Sequence, residues 1–139
     1  MTMKRKYNQK KVHRPYGDFD SKKEHMRWLE LKALEAQGRI SGLQAHSMRI
    51  TVLEPIKRTV WVELKTKRKM VERVEELAVR YTPDFVYVQD GVTILEEVKS
   101  AGTRMARDYP IRRKLVKHWI IRENERLGKE QYRFFEYGD

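Results

Sequence analysis

Apolar residues recur at helical spacing from Ser21 to Gln37, at Met26, Trp28, Leu29, Leu31, Ala33 and Leu34, which predicts a helix stopped by Gly38. Gly42 marks a further bend after Ile40. Ser47–Leu53 alternates, is rich in branched residues and reads as a strand ended by Pro55, and residues 56–64 read as another. The charged stretch 65–77 fits a helix or a mobile excursion equally well. Phe85–Val88 and Thr93–Lys99 form a hairpin about the Asp90-Gly91 dipeptide, a favoured tight-turn pair. A loop over 100–107 precedes a second helix, Tyr109–Leu127. Asp108 is its expected cap, Pro110 sits in its first turn, and Gly128 ends it. One face of that helix carries Leu115, Trp119 and Arg122, with Ile111 and Ile121 nearby. Residues 131–137 form a last strand. Strand 93–99, helix 109–127 and strand 131–137 make a crossover whose two strands run parallel. The fold class expected is α/β, a mixed central β-sheet flanked by helices.

Composition adds a partner. In 139 residues, Lys and Arg number 31 against 20 Asp and Glu, a formal net charge of +11. Such an excess points to a polyanion, nucleic acid first. Residues 1–17 carry Lys4, Arg5, Lys6, Lys10, Lys11 and Arg14 with no acidic residue, and read as a flexible basic arm or a solubilising tail. A single domain over 18–139 follows. Cysteine is absent, which excludes disulfide scaffolds, thiolate metal sites and thiol nucleophiles. No apolar run approaches the ~18 residues of a membrane span, and the N-terminus lacks the apolar stretch of a secretory signal. An intracellular protein with no membrane partner is expected. No glycine-rich phosphate loop or Gly-x-Ser-x-Gly elbow is present, and the four histidines are too scattered for a zinc motif. Met48, Met70 and the aromatic residues are expected in the core.

The sharpest chemical signal is Pro83-Asp84 followed after twelve residues by Glu97-Val98-Lys99. Strand periodicity puts Glu97 and Lys99 on one face. A short hairpin brings Asp84 opposite Glu97. Two converging carboxylates repel unless a cation lies between them, and one or two carboxylates with waters and phosphate oxygens is the usual Mg²⁺ set. Lys99 can orient a water or steady a phosphate charge. The simpler alternative is a solvated strand face beside a Pro-Asp turn. Ser21-Lys-Lys-Glu24 is a capping box, yet Glu24 also shares its helix face with Trp28 and Leu31, which points it inward. His46, near a strand start, reads as structural or exposed.

Pro83-Asp84…Glu97-Val98-Lys99, with Glu24 on the preceding helix, resembles the PD-(D/E)XK, or restriction-endonuclease-like, nuclease superfamily. The likeness runs from about Phe19 to Tyr137. It is closest to small phage-encoded nuclease-like proteins and to the TnsA-type transposition endonucleases, where the Ser-x-x-Glu pattern recurs. The phage proteins often carry Gln where His46 stands. The resemblance implies an αβββαβ core, with 56–78 as an insertion serving as an arm or dimer contact. It implies a Mg²⁺-dependent DNA endonuclease, Mn²⁺ substituting, that hydrolyses phosphodiester bonds. Asp84, Glu97, Glu24 and the Val98 carbonyl would hold the metal, and Lys99 would position the attacking water. A basic helix after the catalytic strand meets DNA in the family. Here Arg112, Arg113, Lys114 and Lys117 fill that place, joined by Arg104 and the arm lysines and arginine. A homodimer is implied. Limited room for base readout favours a structure-specific or partner-directed enzyme, as in phage or mobile-element DNA processing such as junction resolution. The alternatives are a non-catalytic nucleic-acid-binding module and a small basic structural or interaction protein.

Overall fold

A computed structural model describes residues 12–14, 17–19, 22–100 and 106–138. Most of the basic arm, the cap residue Ser21 and Arg104 lie outside them. Among the described residues are ten strands and two helices: β1 (Val12–Arg14), β2 (Gly17–Phe19), α1 (Lys22–Ala36), β3 (Ser41–Ala45), β4 (Ile50–Leu53), β5 (Ile56–Glu63), β6 (Arg68–Glu76), β7 (Val79–Tyr81), β8 (Phe85–Gln89), β9 (Val92–Val98), α2 (Tyr109–Leu127) and β10 (Tyr132–Tyr137).

The central sheet has the order β10-β9-β8-β3. β9 pairs antiparallel with β8 and parallel with β10, so the sheet is mixed and the crossover through α2 joins parallel strands, as expected. The β8–β9 turn forms because Asp90 (φ 50°) and Gly91 (φ 78°) both occupy the left-handed region a two-residue type I′ turn needs. Each helix covers one face. On one side Trp28 and Leu31 of α1 pack on Phe85, Tyr87, Ile94 and Val98. On the other, Val116 and Ile120 of α2 pack on Leu95 and on Ile50, Val52 and Tyr81 of the β4–β7 ladder. Both helices end in the same six-residue closure: the Arg39 amide donates to the Leu34 carbonyl and the Lys129 amide to the Asn124 carbonyl, with Gly38 and Gly128 left-handed.

Several expectations are corrected. Asp108 makes no side-chain cap hydrogen bond; its carboxylate stands 3.6 Å from the Arg112 guanidinium instead. Ile111 and Ile121 face solvent, and the buried stripe of α2 is Val116 and Ile120 flanked by half-buried Leu115 and Trp119. Met26 and Leu29 also turn outward from α1, because its inward face runs through residues 24, 28 and 31. The region 38–46 holds a strand, β3. Its pairing with β8 shifts register between Ser41 and Gln44, and Gly42 has φ 63°, so the glycine that reads as a bend is part of a bulged strand. The stretch 65–77 is not a helix: β6 pairs with β5 along nearly its whole length. Met70 and Trp61 lie opposite one another on that ribbon, exposed rather than in the core.

Candidate metal and catalytic site

Four segments deliver side chains to one end of the sheet. α1 contributes Glu24 from its first turn. His46 directly follows β3, β8 begins just after Asp84, and Glu97 and Val98 end β9 with Lys99 next after it. The inward direction expected for Glu24 is found: it is 3% exposed. Asp84 is opposite the end of β9 because Phe85 pairs with Glu96, and its Oδ2 accepts the Val98 amide at 2.8 Å. That bond fixes the carboxylate against β9.

His46 is the residue the sequence reading leaves aside. It has φ 52°, a left-handed conformation uncommon for a residue with a Cβ, although histidine enters it more readily than most. Its amide donates to the Asp84 carbonyl at 3.0 Å, which holds the turn. The turn swings the imidazole back over the site, where Nε2 stands 2.5 Å from Glu24 Oε1. One ligand atom each from Glu24, His46 and Asp84 lies within 4.8 Å of the others. Strained backbone at a cluster of polar groups is a recurrent functional feature. Neither spacing nor periodicity encodes this meeting. The only signal in the chain is a lone histidine just before the predicted strand 47–53.

The donor chemistry fits a divalent cation. Two carboxylates suit Mg²⁺ and Mn²⁺, and an imidazole nitrogen favours a first-row transition ion over Mg²⁺.

Glu97 borders this group without entering it. Its Oε2 accepts the Tyr81 hydroxyl at 2.6 Å. Burial pushes its carboxyl up to about 7; the Tyr81 bond opposes that, and the charge of Glu24 adds to it. A raised pKa means the folded protein prefers Glu97 protonated. The associated stability is fully present below the ordinary carboxylate value and is lost as pH climbs through about 7. Metal-free wild type therefore loses on the order of 3 kcal/mol across that window, and Glu97→Gln does not. Calorimetric melts at pH 5 and pH 8 check this; identical pH slopes for the two proteins would sink it.

Lys99 shares the face of Glu97, as strand periodicity predicts, and its Nζ stands 4.0 Å from Glu136 Oε1. Glu136 is a further carboxylate that the sequence reading misses. It is the register partner of Glu97 on β10, so only the parallel pairing reveals it. It accepts the Tyr109 hydroxyl at 2.6 Å and Arg113 Nη1 at 3.2 Å. Burial would raise its pKa, but these two donors overcome that and lower it. The basic residues of α2 split accordingly. Arg113 is engaged with Glu136. Arg112 donates to the Arg80 carbonyl at 2.9 Å, and its charge favours ionised Glu97. Lys114 and Lys117 are exposed, Lys117 resting over the Phe134 ring. Lys4, Arg5, Lys6, Lys10, Lys11 and Arg104 lie outside the described residues.

No helix among the described residues is long and apolar enough to cross a membrane. No curated protein and no solved structure matches the chain. A family model does, over residues 4–127, a span that covers most of the chain and includes every residue of the cluster, so the chain belongs to the DUF1064 family, described as a protein of unknown function.

Proposed function

We propose that the protein is a metal-dependent DNA endonuclease that hydrolyses phosphodiester bonds. The observation that carries this reading is the convergence of Glu24, His46 and Asp84, from three separate elements, to within 4.8 Å beside Glu97. The order α1, β3, β8, β9, α2, β10 supports it as well, since it follows the αβββαβ sequence of a restriction-endonuclease-like core.

Glu24, Asp84 and His46 hold the cation, Mg²⁺ or Mn²⁺, and Glu97 with the Val98 carbonyl completes the set. A bound divalent cation supplies Lewis-acid stabilisation of phosphate charge and lowers the pKa of a water. The chain's own groups do the rest. Tyr81 orients Glu97, and Asp84 is locked to β9 through the Val98 amide. Lys99, held beside Glu136, positions the attacking water and balances phosphate charge. The exposed cations of α2 receive the DNA backbone, and a structure-specific or partner-directed dimer is the form of enzyme proposed.

The test is cleavage of labelled linear duplex, single-stranded and four-way-junction DNA with Mg²⁺ or Mn²⁺ against EDTA. Metal-dependent cutting is expected, faster with Mn²⁺, and Lys99→Ala is expected to slow it by about 10²-fold or more. His46→Gln should narrow the preference for Mn²⁺ by removing the nitrogen donor. Retardation of DNA on a gel without cutting of any substrate, with either metal, would replace this reading with the non-catalytic binding module.

A further inference from the structure

The β5–β6 hairpin takes no part in the site. Its strands pack on each other far more than on any other element. A two-stranded ribbon is marginal by itself, so a bare one of this length calls for a use. Trp61 and Met70 are directly opposed on one face and more than half exposed, at 57% and 54%. The tip is closed by a hydrogen bond from the Leu64 amide to the Lys67 carbonyl, at 2.8 Å. Four of the five residues 65–69 are basic: Lys65, Lys67, Arg68 and Lys69. The Arg68 guanidinium lies 5.0 Å over the Trp61 ring, which pre-orients it at the surface. On the opposite face, Arg58 is the direct cross-strand partner of Arg73. Like charges placed so are destabilising, and a bound anion would relieve the repulsion.

We propose that the β5–β6 hairpin is a DNA-gripping arm whose tip binds phosphates of a duplex while the ribbon lies along a groove. This rests on the reading of DNA as the substrate and adds a second place of contact to it. The dimensions fit: paired strands stand about 5 Å apart and eight residues span roughly 26 Å. The major groove, about 12 Å wide, admits a two-stranded ribbon. Trp61 and Met70 supply an apolar surface for sugars and base edges, with Arg68 beside them toward the basic tip.

The test is fluorescence anisotropy of labelled duplex DNA with the full chain, over a series of KCl concentrations, in EDTA so that no strand is cut. Combining Lys65→Ala, Lys67→Ala, Arg68→Ala and Lys69→Ala is expected to weaken binding at least about tenfold. The slope of log affinity against log salt should become shallower by about 3.6, since each of the four phosphate contacts contributes about 0.9. Lys67→Ala alone, at an exposed position of the tip, should change it by about 1. Wild-type affinity and slope in the fourfold variant would overturn the arm and leave the endonuclease reading standing. No binding by wild type at any salt would overturn both. A dimer that Trp61→Ser with Met70→Ser breaks, DNA affinity unchanged, would assign this face to a second copy of the chain and overturn the proposal.

Discussion

Asp84→Asn is expected to reduce metal-dependent DNA cleavage by about 10³-fold or more while leaving the fold in place. The carboxylate has two jobs, and the substitution separates them. Oδ2 accepts the Val98 amide, which ties the segment before β8 to the end of β9. An asparagine carbonyl can accept the same bond, so stability should change by no more than about 1 kcal/mol. The negative charge is lost, and with it a ligand of the cluster formed with Glu24 and His46. A cation's stabilisation of transition-state charge is worth several kcal/mol, and about 4 kcal/mol corresponds to 10³-fold in rate. Single-turnover cleavage and a thermal melt of the same preparation check both halves. Cleavage within tenfold of wild type in a folded variant would remove Asp84 from the metal site.

The second large effect lies on the other side of the same strand. Arg27→Ala should destabilise the protein by about 3–5 kcal/mol. Glu96 is completely buried, at 0% exposure. Arg27 grips it through both oxygens, Nε to Oε2 at 2.8 Å and Nη2 to Oε1 at 2.9 Å, and the Tyr87 hydroxyl donates to Oε1 at 2.7 Å. Burial by itself would lower the Arg27 pKa, but the Glu96 bonds outweigh it and hold the guanidinium firmly protonated. The same guanidinium stacks over the Tyr137 ring at 4.1 Å. Removing it leaves a buried carboxylate with one hydroxyl donor and no countercharge. Arg27→Met combined with Glu96→Leu should restore most of the loss, because an apolar pair of similar volume needs no compensation. Denaturant titrations of the three variants decide it; a loss under 1 kcal/mol for Arg27→Ala would show that water reaches Glu96.

Glu96 and Glu97 are neighbours with opposite fates. Alternation along β9 sends Ile94, Glu96 and Val98 toward α1, and Leu95, Glu97 and Lys99 toward α2. A strand's period of two is local, so the pairing of Glu97 with Lys99 and the opposition of Asp84 across a two-residue turn were legible in the chain itself. So were both helices, the β8–β9 hairpin, the parallel return to β10 and the inward aim of Glu24, since spacing and glycine punctuation are properties of short segments. Other features were not legible because they depend on partners distant in sequence. β6 is a strand because β5 pairs with it, although its charge alone fits a helix as well. β3 is hidden by a left-handed glycine that a bulge requires. Glu136 joins the site only through the parallel register with Glu97, and His46 through a strained turn pinned to Asp84. Local sequence thus dictated which residues face together along each element. Which elements meet, and so which carboxylates find an imidazole, an arginine or a tyrosine, was decided by packing two helices on opposite faces of one sheet, because long-range contacts leave no periodic trace in the chain.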